Sequence, residues 1–135
     1  MADKVKSVSG SIGYVEYQYA VKGNLQQAAV QNAAGRFVTA SPQGLAAACQ
    51  EVEAPAWQSF SASLVNARGA DSFPLTSFTW IYLRTKTSDA ARGAALSDFL
   101  TWTFSDGQML AEQEGYTALP PKLLAEVKRK LNDLH

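Results

Sequence analysis

The residues Gly10-Ser11-Ile12-Gly13 place two glycines ahead of a tyrosine-rich run that contains Tyr14, Tyr17 and Tyr19. Glycine-rich turns can hold an oxyanion because their backbone N–H groups converge without a side chain in the way. The stretch is not a nucleotide-phosphate loop, since no Gly-Lys-Ser/Thr follows. Nor is it a dinucleotide fingerprint, because a third glycine is missing and the glycines precede a strand. Two readings remain. One is an anion nest. The other is that Gly10 and Gly13 relieve crowding where a strand over residues 12–15 enters a sheet, and spacing favours this second reading.

Other reactive groups are sparse. His135 is the only histidine and ends the chain, where a catalytic triad or metal site has little to hold the imidazole. Cys49 is the only cysteine, so an intrachain disulfide is excluded. Within LAAACQEV it reads as a small buried hydrophobe, with no activating cation near it in sequence. Glu51 and Glu53 stand two apart on a helix and point to different faces, as do Glu112 and Glu114. Lys128, Arg129 and Lys130 read as a solvated face near a helix C-terminus, where the dipole favours cations. The N-terminus of the helix after Ser88 is a fallback anion position. No catalytic residue, metal site or cofactor is expected, and the chain is not read as an enzyme.

The bulk numbers agree with a binding or structural role. The 135 residues suit one compact unit, with 47% hydrophobic and 18% charged residues. Twelve basic and twelve acidic residues cancel, so nothing argues for a nucleic-acid partner. No apolar run approaches the ~18 residues of a membrane span. The polar start MADKVKSVSG lacks the apolar region of a signal peptide, so a cytoplasmic location is expected for the chain as written.

Hydrophobic period and capping residues set out the elements. After the short strand at 12–15, one or two helical turns over 16–21 end at Gly23-Asn24. Residues 28–31 and 36–39 flank Asn32-Ala33-Ala34-Gly35 as a hairpin, with Gly35 left-handed. Ser41-Pro42 opens a helix to about Glu53, with Leu45, Ala48, Cys49 and Val52 on one face. Pro55 breaks the pattern. Residues 61–66 read as a weak strand and 67–74 as a loop. LTSFTWIYLR (75–84) reads as the strongest strand, buried on both faces. Ser88-Asp89 caps a helix over 90–104, interrupted at Ser105-Asp106-Gly107 and resuming to about Gln113. Pro120-Pro121 opens a last helix carrying Leu123, Leu124, Val127, Leu131 and Leu134. The fold class is α/β, a mixed sheet with flanking helices.

Four stretches together resemble a known family. GSIGYVEYQYA (10–20) with Gly23-Asn24-Leu25, FPLTSFTWIYL (73–83), AALSDFLTWTFSDG (94–107) with Gln108, and GYTALP (115–120) occur in the order found in the phosphate-binding proteins of bacterial phosphate ABC transporters. The resemblance covers nearly the whole chain. It implies a C-terminal portion of a two-lobed, type II periplasmic-binding-protein fold about twice this length. Residues 1–72 would belong to one lobe, as strand-helix-hairpin-helix-strand. Residues 73–135 would supply the crossover strand and helices of the other.

The family's phosphate ligands come from an N-terminal Thr-Phe/Leu pair, a Ser, an Asp, and an Arg followed by Gly-Ser-Gly-Thr. All lie upstream of the matched region, and Ser9-Gly10-Ser11 aligns with the strand entry instead. No phosphate-binding residue transfers to this chain. The resemblance therefore implies phosphate binding only with an N-terminal half supplied, a periplasmic or cell-surface location for the full-length family, and an ABC permease as its partner. Exposed strand edges in a half without its neighbours imply a homodimer, element exchange or a complementing half. The alternative to a transport component is a stand-alone, self-associating assembly module.

Overall fold

A computed structural model describes residues 1–53, 56, 58–84 and 88–133. Pro55, Leu134 and His135 therefore lie outside the described residues, and the helix break, last apolar position and terminal histidine read from them are not taken further.

The described elements are helices with one small sheet. In chain order they are α1 (Ala2–Ser7), α2 (Tyr17–Lys22), β1 (Val30–Gln31), β2 (Phe37–Val38), α3 (Pro42–Gln50), α4 (Ala90–Thr103), α5 (Gly107–Gln113) and α6 (Pro121–Leu131). The content is mixed, as the α/β reading requires, but the described sheet is a single antiparallel pair, Val30 opposite Val38 and Gln31 opposite Phe37.

Local signals set most boundaries. The Ser41 hydroxyl accepts a hydrogen bond from the Gly44 N–H at 3.0 Å, and Pro42 occupies the first helical position of α3. Asp89 does the same for α4, accepting from the Arg92 N–H at 3.0 Å. Helix α2 ends in a paired 6→1 and 5→2 closure: Leu25 N–H to the Ala20 carbonyl at 2.9 Å and Asn24 N–H to that of Val21 at 3.0 Å. Asn24, at φ 49°, is the left-handed residue of that closure. Helix α5 ends the same way through Tyr116 to Ala111 and Gly115 to Glu112, both 3.0 Å, with Gly115 at φ 90°. Between α4 and α5 the Ser105 hydroxyl donates to the carbonyls of Thr101 at 2.7 Å and Trp102 at 3.1 Å, closing off the first helix.

Three strand expectations fail. Residues 12–15, 61–66 and 75–84 form no ladder. A strand is defined by a neighbour, and among the described residues these stretches have none. Residues 12–15 lie against α1, an element that the sequence did not announce. The side chains of residues 79–84 are all exposed, not buried on both faces. Tyr82 is 91% and Ile81 57% accessible. Helix α3 also stops at Gln50, short of Glu53.

The core is small. Ala48 and Cys49 of α3 meet Ala62 and Leu64 from the following segment and Leu123 of α6, ringed by Val52, Phe60, Phe78, Leu119 and Val127. Leu100 is the buried residue of α4, while Phe99 and Trp102 beside it stay about half exposed, their rings 6.1 Å apart. The surface is correspondingly large. The chain exposes 9654 Å², whereas a compact monomer of this mass presents about 6,900 Å².

Candidate functional site

Each candidate anion position is tested by where its donors point. At Gly10 they point inward. Gly10 sits at φ 76° in a turn whose Ser11 N–H donates to the Val8 carbonyl at 3.2 Å. The Ser11 hydroxyl donates to the same carbonyl at 2.7 Å and to that of Val5 at 3.2 Å. Both Ser11 donors are thus committed to the chain's own backbone. Gly13 serves packing: a Cβ there would stand 2.7 Å from Val5 Cγ2 and 3.1 Å from Met1 Sδ. Crowding is the right reason for this glycine, but the neighbour is α1, not a sheet. Of the three tyrosines, Tyr14 and Tyr19 are exposed and Tyr17 is half-buried.

Beside this turn lies a cavity of about 690 Å³, lined by residues 5–11 and 24–28. Among these lining residues Lys6 is the only cation. Ser7 and Ser11 spend their hydroxyls on backbone carbonyls, Ser7 on that of Lys4 at 3.3 Å. An oxyanion held in low dielectric needs several converging donors; this wall offers one ammonium, with Ser9, Asn24, Gln26 and Gln27 as its other polar side chains.

The chain's own groups occupy most of the other positions. The N-terminus of α4, after Ser88, already carries a carboxylate: Asp89 caps it and its second oxygen stands 3.9 Å from Arg92 Nε. An incoming anion would meet that charge. At the end of α6, Arg129 grips Glu126 through Nε at 3.1 Å and Nη2 at 2.7 Å, and Lys130 meets Asp133 at 3.0 Å. Donating to the Glu126 carboxylate raises the Arg129 pKa further. Cys49 is buried and free, and burial pushes its thiol pKa up, away from reactivity. Among the described residues no three His, Cys, Asp or Glu side chains gather as a metal site, and no helix is long and apolar enough to cross a membrane.

Neither acidic pair lies within one helix: Glu51 and Glu53 follow the end of α3, and Glu114 follows the end of α5. Glu114 forms an ion pair with Lys22 at 2.5 Å, while Glu112 takes no part in it. The contact lowers the Glu114 pKa and raises that of Lys22, chiefly through the shared hydrogen bond. Next to it, Gln18 Nε2 donates to the Tyr116 hydroxyl at 2.7 Å and to Glu16 Oε2 at 2.9 Å. This polar seam ties α2 to the turn after α5, and no local signal announces it.

A second tie went unforeseen. Asn32, 5% accessible, opens the hairpin turn. Its Oδ1 accepts from the N–H groups of Ala34 and Arg36, both at 3.1 Å, and its Nδ2 donates to the carbonyls of Ala70 at 2.8 Å and Ser72 at 3.2 Å. Arg36 pairs with Asp71 at 2.8 Å alongside. Gln108 plays a similar part elsewhere, donating to the Thr103 carbonyl and accepting from Leu119 N–H, both at 3.0 Å. It joins two of the stretches on which the family resemblance rests. These polar side chains brace the frame; none presents a free, converging donor set.

The relatives of this chain are phosphate-binding proteins. It is similar to the phosphate-binding protein PstS of Xylella fastidiosa (strain 9a5c), 37% identical over 128 residues, and to that of Pasteurella multocida (strain Pm70), 31% identical over 128 residues. Each match spans 95% of this chain but only 35% and 37%, respectively, of the relative. The PstS of Methanocaldococcus jannaschii is 29% identical over 127 residues, 86% of this chain and 33% of that protein. No protein-family model matches. The relationship is consistent with a C-terminal portion of a PstS-like protein. The chain spans about a third of the length of these relatives, less than the half that the resemblance implied.

Proposed function

We propose that this chain is a frame-forming portion of a phosphate-binding transport component, and that it does not clasp phosphate by itself. The observation that carries the reading is the lopsided coverage: similarity over 95% of the chain, against 35% of a phosphate-binding relative. The committed donors at Ser11 and the carboxylate at the α4 N-terminus support it. In the whole protein the portion would complete a two-lobed periplasmic-binding-protein fold, work at the periplasmic face or cell surface, and deliver phosphate to an ABC permease. The phosphate donors would come from the other portion.

Isothermal titration with inorganic phosphate tests this. The 135-residue chain alone should give no saturable heat. Mixed with the separately produced preceding portion of a PstS relative, it should give one phosphate site. Tight binding by the chain alone would refute the reading. A second reading, a self-associating assembly module, is favoured by the exposed apolar segment at residues 79–84.

A further inference from the structure

We draw no further inference here: the strongest candidate, the cavity of about 690 Å³ between α1 and residues 24–28, is walled by polar side chains that are all exposed, and nothing in the structure shows what would fill it.

Discussion

The Asn32 carboxamide nitrogen lies 2.8 Å from the Ala70 carbonyl oxygen, joining the hairpin turn to a loop 38 residues further on. With its Oδ1 holding two turn amides, the side chain has both donors and both acceptor sites engaged at a buried position. Truncation strands all of these partners at once. We expect Asn32→Ala to destabilise the chain by about 3 kcal/mol, read as a lower urea midpoint at unchanged m-value. Asn32→Asp keeps the turn acceptors, loses the donors and sets a charge against carbonyls, so it should be no better. If both variants match the parent, the clasp is not holding the loop.

Gly115 and Gly10 share a left-handed backbone but not a neighbourhood. A Cβ at Gly115 would lie 3.1 Å from Gln18 Cβ, whereas nothing stands within 4 Å of one at Gly10. Both substitutions by alanine incur the backbone penalty of about 1 kcal/mol. Gly115→Ala should lose more, because it also pushes α2 away from the Tyr116 turn. Thermal melts of the two variants should rank Gly115→Ala below Gly10→Ala. Equal melting temperatures would remove the contact with Gln18 from the account.

Cys49 should be inert to thiol reagents in the folded chain and fully reactive in urea, as a colorimetric thiol assay can show. Burial raises its pKa above 9.0 in the folded state. The folded form thus holds its proton more tightly than the unfolded form. Its contribution is fully present below pH 9.0 and is lost as pH rises through the raised folded value. Cys49→Ala should lower stability evenly at all pH through lost core packing and flatten the alkaline part of the profile.

The Lys22–Glu114 pair has the opposite dependence at its acidic end. The Glu114 pKa is lowered from 4.5, so its contribution is present above pH 4.5 and fades as pH falls through the lower folded value. The Lys22 pKa is raised from 10.5, so its share persists below that pH and is lost as pH climbs through the higher folded value. Both groups are exposed, and salt screens them. Lys22→Met should lower stability slightly at low ionic strength between these limits. The difference should vanish in about 1 M salt, and an effect indifferent to salt would mean the lysine acts through packing.

Elements announced by one or two capping residues are legible in the amino-acid sequence itself. Ser41-Pro42, Asp89 and Pro120-Pro121 open their helices where the sequence places them, and Gly35 turns the hairpin at φ 77°. These signals act over three or four residues. Strands depend on neighbours distant in sequence, so 75–84 has the composition of a buried strand while no partner exists among the described residues. The seam from Gln18 to Tyr116 spans 98 positions and is invisible to local patterns for the same reason. The glycines of the opening motif are half legible. Steric relief is the correct reading at Gly13, but the helix that makes it necessary is six residues long with no side-chain cap, so Asp3 and Lys6 at its ends are its faint signals.

The extended run at 79–84 also bears on how the protein must be handled. Thr79 to Leu83 is a proline-free, uncharged, aromatic-rich stretch of the kind that stacks into fibrils when many chains crowd together. Arg84 is the gatekeeper at its edge, with Lys86 two residues further on. Removing that guanidinium should shorten the time before a concentrated, warmed solution turns amyloid-dye positive.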